Sequence, residues 1–179
     1  QALEVAKATG AKVKVGNPAE HGNHIGPLVS EGHFEKVQAM IQAGIDEGAT
    51  LLAGGVGKPE GFDTGYYTKP TIFSDVTNDM TIAQEEIFGP VLVMIPYADE
   101  AEAIKIANDT PYGLAAFIQS GNPERAQNVA RKIRAGMICI NGASHIYTSP
   151  FGGFKQSGNG REWGEFGFED FLETKSISS

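Results

Sequence analysis

From Val91 onward the chain alternates short apolar runs with amphipathic ones, and this rhythm restricts its fold more than any other feature. Val91 to Tyr97 follows the turn signal Gly89-Pro90 and reads as a buried strand. Asp99 is placed to cap a helix reaching about Asn108, with Ala103, Ile104 and Ala107 inward. Ala115-Ala116-Phe117-Ile118 is the next strand. Asn122-Pro123 then starts a second helix, with Ala126, Val129, Ala130 and Ile133 on its inward stripe. Met137-Ile138-Cys139-Ile140 gives a third strand. Strand and helix in turn, joined by short links, predict a βαβαβ unit and an α/β fold with a largely parallel sheet. In such sheets ligands sit beyond the carboxyl ends of the strands, which directs attention to Asn141–Gly153.

The earlier half is less regular. Gln1 to Thr9 reads as the tail of a helix, and Gly16 to Pro27 as loop. Ser30 caps a longer helix in which Phe34, Val37, Ile41, Gly44 and Ile45 form one buried stripe, ended by Gly48. Thr50–Ala53 and Pro70–Phe73 read as strands. His21, His24 and His33 invite a metal reading, but no Cys or carboxylate accompanies them at ligand spacing, so they are read as solvated loop histidines and no metal is expected. Gly57-Lys58 fails as a phosphate loop because Leu52 occupies the place of the upstream glycine. Gly158-Asn159-Gly160 fails as a dinucleotide fingerprint because no strand precedes it and Trp163 occupies the third glycine's place.

Two carboxylates and a ring stand just before the Gly89-Pro90 turn, in Glu85-Glu86-Ile87-Phe88. A carboxylate there suits sugar hydroxyls and a ring suits the face of a heterocycle; alternatively Phe88 is core and both glutamates are solvated. The formal charge of −8 leaves no basic face for nucleic acid, and no run is long enough to span a bilayer as a helix. One cysteine excludes an internal disulfide and fits a reducing, cytoplasmic setting. Cys139 itself lies in an apolar strand with no His or Lys near it in sequence, so it reads as a small core residue rather than a nucleophile.

The segments Glu85–Val91 (EEIFGPV) and Pro150–Glu162 (PFGGFKQSGNGRE), with Tyr112-Gly113-Leu114-Ala115 and Gly136–Asn141 between them, resemble the aldehyde dehydrogenase family in order and spacing. The resemblance runs from Gly16 to the end of the chain and implies a C-terminal portion of such an enzyme: a Rossmann-like βαβαβ catalytic-domain portion over 1–167, truncated at its N-terminal side, and a tail with an oligomerisation strand over 168–179. It implies that the intact enzyme, a homodimer or homotetramer, oxidises a small aldehyde to an acid with NAD or NADP through a cysteine thioester. The motifs of the nucleophile and general base would lie upstream of Gln1, so no catalytic residue is expected in this chain and the isolated fragment is expected to be inactive. The alternatives are a non-catalytic structural protein of the same fold and an acyl-phosphate or acyl-thioester reductase of the same architecture.

By the same resemblance Glu86 accepts from the nicotinamide ribose hydroxyls and Phe88 packs near the nicotinamide ring. Phe151 matches an aromatic of the aldehyde pocket, with plain core packing as its other reading. His145, Ile146 and Tyr147 lie where the family varies its substrate contacts, or else are simply exposed. Glu162 matches a glutamate proposed to relay protons to the base.

Overall fold

The computed structural model describes residues 1–22 and 24–178; Ser179, last of the expected tail, lies outside the described residues. The chain divides into two compact units, Gln1–Pro96 and Tyr97–Ser179.

The first unit runs α1 (Ala2–Gly10), β1 (Lys14–Val15), β2 (His24–Ile25), α2 (Glu31–Asp46), β3 (Thr50–Ala53), β4 (Thr71–Ser74), α3 (Thr81–Gln84) and β5 (Val91–Val93). Strand β4 is central: β3 pairs with it antiparallel and β5 parallel. A central strand has neighbours on both edges, and all four residues of β4 are buried. Ser30 caps α2 as expected, its hydroxyl accepting from the His33 N–H at 3.3 Å. Val37 and Ile41 from α2 join Phe73 of β4 in the core, with Ala49, Val76, Ile82 and Ile87 completing it. Gly48 ends α2's turn at φ 91°, a left-handed conformation that glycine adopts without steric cost. The segment from Gly16 to Pro27 expected as loop before α2 contains β2, which pairs in parallel with β1 just ahead of it.

The second unit runs α4 (Glu100–Asn108), β6 (Ala115–Ile118), α5 (Pro123–Ala130), β7 (Met137–Ile140), a 3₁₀ turn at Lys155–Ser157 and α6 (Gly164–Glu169). Asp99 and Asn122 cap α4 and α5, accepting from the N–H groups of Glu102 at 2.9 Å and Arg125 at 3.0 Å. Strands β6 and β7 pair in parallel, in register from Ala115 with Met137 to Ile118 with Ile140. Arg125 forms an ion pair with Glu100 at 2.6 Å, and that carboxylate raises the guanidinium pKa.

The α/β class and the parallel pairing agree with the sequence, but the strand grouping differs. Strand β5 is shorter than the expected Val91–Tyr97, and it pairs with β4, which the alternation rule did not include. The apolar face of α4 also differs from expectation. Ala107 is exposed, and Ala103 and Ile104 are half-buried beside an open groove of about 310 Å³ shared with Phe117 and Val129. Among the described residues of the tail, 172–178 carry no strand and are exposed. Among the described residues no helix is long and apolar enough to cross a membrane.

Candidate functional site

The loop from Glu85 to Pro90 is fixed at both ends and in the middle. Before it, the start of α3 is tied down by Glu47, whose carboxylate accepts from the Thr81 N–H at 2.7 Å and its hydroxyl at 2.5 Å. After it, the Pro90 carbonyl accepts from the Thr71 N–H at 2.9 Å, where β5 joins β4. Between these anchors the side chains alternate. Ile87 is buried in the core with Val37 and Ile41, while Glu86 and Phe88 are exposed. The ring of Phe88 is 70% exposed, so it is not part of the core.

Phe88 has φ 57°, which forces a Cβ-bearing residue into the left-handed region. That conformation costs about 1–2 kcal/mol and persists where its surroundings hold it. Here two side chains of α2 supply the hold. The His33 Nε2–H donates to the Phe88 carbonyl at 2.6 Å, and Lys36 Nζ donates to the Glu86 carbonyl at 2.8 Å. The loop also packs close: a Cβ on Gly89 would meet the Val37 methyls at 2.9 Å. Beside Phe88 lies an open cavity of about 380 Å³, walled by Ile25, Gly26, Leu28, Thr68 and Pro90. An exposed carboxylate and an exposed ring therefore stand two residues apart on a loop whose main chain is locked.

The second set of expected residues follows β7. Asn141, at φ 52°, turns the chain out of the strand. Its side-chain amide accepts from the Ser120 N–H at 2.8 Å and donates to the Ser120 carbonyl at 2.9 Å, joining the ends of β6 and β7. Beyond it, Tyr147, Phe151 and Trp163 form an aromatic trio. Trp163 meets Tyr147 edge-on at 4.8 Å between centroids and Phe151 in a tilted contact at 5.0 Å. Phe151 is half-buried and Tyr147 exposed. The main chains of Phe151 and Glu162 exchange two hydrogen bonds of 2.7 Å, an antiparallel bridge that brings two expected site residues together. The Glu162 side chain and Ile146 are exposed. Arg161 Nη1 donates to the carbonyls of Gly153 at 3.0 Å and Gly160 at 2.6 Å, closing the reversal between Phe151 and Glu162.

The reading of Cys139 needs correction on one point. Its thiol is buried, as a core residue's should be, but His145 Nε2 lies 3.3 Å from Sγ. Sequence separation hid this neighbour, because the loop after β7 folds back on the strand. The histidine reading also changes: His33 sits in the first turn of α2 and holds Phe88, and the His24 Nε2–H donates to the Asn17 carbonyl at 2.7 Å. Among the described residues no group of three His, Cys, Asp or Glu side chains is placed to hold a metal ion.

Four residues have roles at these loops that the sequence reading did not assign: His33 and Lys36 of α2, Asn141 and Trp163. The first two act on carbonyls fifty or more positions away, which leaves no periodic trace. Trp163 was visible as an aromatic between turn residues, and its nearness to Phe151-Gly152-Gly153 in a tight reversal was the available signal.

The Aldehyde dehydrogenase family pattern matches residues 1–177. A 3-succinoylsemialdehyde-pyridine dehydrogenase from a Pseudomonas species is 55% identical over 166 residues, 93% of this chain and 35% of that protein. Aldehyde dehydrogenase C of Pseudomonas syringae, crystallised with NAD+ and octanal, superposes with a TM-score of 0.95 at 50% identity, covering 98% of this chain and 36% of that one. An aldehyde dehydrogenase of Mycobacterium tuberculosis, crystallised with NAD+, superposes at 0.91 with 46% identity, over 94% and 35% of the two chains. The chain thus spans a little over a third of the length of the curated relatives it matches. With matching sequence blocks, matching structure and near-complete coverage of its own length, this chain belongs to the aldehyde dehydrogenase family.

Proposed function

We propose that residues 1–167 are a catalytic-domain portion, and 168–179 a tail for subunit association, of a cytoplasmic homo-oligomeric enzyme that oxidises a small aldehyde to a carboxylic acid with NAD or NADP. The observation that carries this reading is the locked loop presenting Glu86 and Phe88 side by side to solvent. The residues fit a nicotinamide riboside. The Phe88 ring and the apolar wall of Ile25 and Leu28 offer a face to the heterocycle, and the free Glu86 carboxylate offers acceptors to ribose hydroxyls. Bound there, a nicotinamide would supply the hydride acceptor for the oxidation, in which aldehyde, water and oxidised cofactor would give acid, reduced cofactor and a proton.

Within this chain the work is binding and orientation. Glu86 fixes the ribose, and with it the angle of the ring. Phe151, Trp163 and Tyr147 form an apolar wall for the aldehyde's side chain, with His145 and Ile146 beside them in sequence. Glu162 is the proton-relay carboxylate of this reading, supported by its main-chain pairing to Phe151. The nucleophile and base belong to the rest of the polypeptide. Phe151→Ala should therefore shift the ranking of aldehydes by kcat/KM, most for bulky apolar ones, because the ring contact with Trp163 is lost. An identical substrate ranking would return the ring to a packing role.

Cys139→Ser should leave turnover largely intact despite the nearby imidazole, since the thiol is buried within β7. Loss of all activity with an unchanged unfolding temperature would give Cys139 a chemical part. The overall reading is tested by adding aldehydes of graded size and NAD+ or NADP+ to the full-length polypeptide and following reduced cofactor and acid together. Equal amounts of both are expected. Turnover only of an acyl phosphate or thioester with reduced cofactor, releasing aldehyde and phosphate or thiol, would replace the dehydrogenase reading by a reductase. No reaction in either direction would make the protein a scaffold.

A further inference from the structure

We infer that His33 is a positioning residue of the cofactor site, setting the Glu86–Phe88 loop through the Phe88 main-chain carbonyl. This rests on the reading of that loop as cofactor-binding.

The argument starts at the helix cap. Ser30 accepts from the His33 N–H, so the backbone of His33 is fixed where α2 begins. Its side chain is then committed to the loop. Nε2–H donates to the Phe88 carbonyl at 2.6 Å, and the two rings lie 5.8 Å apart at 42°. One imidazole thus holds the carbonyl and stands beside the ring of the same residue. The contact coincides with the left-handed φ of 57° at Phe88, a conformation a phenylalanine leaves readily unless its peptide groups are held. Lys36, one helical turn on, holds the Glu86 carbonyl, and Ile87 between the two is sunk in the core. Lys36 and Ile87 do not constrain the peptide that follows Phe88; His33 does. Losing that donor frees the ring to swing and blurs its register with the Glu86 carboxylate. The consequence is weaker capture of the cofactor rather than slower chemistry.

The test uses the full-length polypeptide and NAD+ itself, with Kd from equilibrium titration, KM and kcat from turnover, and an unfolding temperature for each variant. His33→Ala should raise the Kd and the KM for NAD+ roughly three- to tenfold, the range expected for one hydrogen bond, while kcat changes little. His33→Gln, whose amide can also donate to a carbonyl, should recover most of the affinity. An unchanged Kd in His33→Ala overturns the inference, as does equal weakening in both variants with a matching fall in unfolding temperature. Glu86→Gln measured alongside separates the two layers. If Glu86→Gln weakens binding and His33→Ala does not, only the role of His33 falls; if Glu86→Gln leaves the Kd unchanged, the cofactor reading of the loop falls and His33's role with it.

Discussion

Gly136→Ala is expected to destabilise the second unit by about 3–5 kcal/mol, enough to cost the protein much of its soluble yield. A Cβ at this position would run into the Gly152 carbonyl oxygen, and would lie 2.7 Å from the carbon bearing it and 3.1 Å from the Gly153 Cα. All three are backbone atoms, so no side chain can swing aside. The site cannot readily open either. The Gly113 carbonyl accepts from both the Gly136 N–H at 2.9 Å and the Phe154 N–H at 2.8 Å, binding the start of β7 to the chain just past Gly153. An alanine there forces these strands of backbone apart and displaces Phe151 with them. Denaturant unfolding of Gly136→Ala beside Gly121→Ala checks this. Gly121 has open space around its would-be Cβ, and its variant should stay within about 0.5 kcal/mol of the parent. Similar midpoints for the two variants would mean that the Gly136–Gly152 approach is looser than described.

Glu86→Gln is expected to slow hydride transfer and weaken the cofactor's hold by roughly 10- to 100-fold together, the worth of hydrogen bonds to a charged acceptor. The change is nearly isosteric, and the residue's main chain is held independently by Lys36, so the fold should be untouched. Single-turnover measurement with saturating aldehyde reads the step directly. A rate equal to the parent's would remove Glu86 from the site.

Much of the fold was legible because it is written in local chemistry. Ser30, Asp99 and Asn122 each announced a helix start by carrying an acceptor where the first turn has free N–H groups. The stripe through Val37 and Ile41 announced its buried face by spacing alone. What depends on distant pairing was not legible. Nothing in Val91–Val93 says that its neighbour is Thr71–Ser74, since a buried strand reads alike beside any partner. The face of α4 misled for a related reason: Ile104 and Ala107 are apolar and correctly spaced, yet periodicity does not say how closely a neighbour will cover them. For the candidate site, the family blocks directed attention to Glu86, Phe88 and Phe151. The left-handed backbone of Phe88 and the imidazole beneath it came only from three dimensions, as did the approach of His145 to Cys139.

The locked loop and the aromatic trio belong to separate compact units, the first built on α2 and β4, the second on β7 and the reversal at Arg161. Under the function proposed above, descendants of this gene would exchange one diet of aldehydes for another by editing the trio, without retuning the loop assigned to coenzyme. Drift in one trait need not drag the other along, and chimaeras joined near Pro96 should inherit the two traits from different parents.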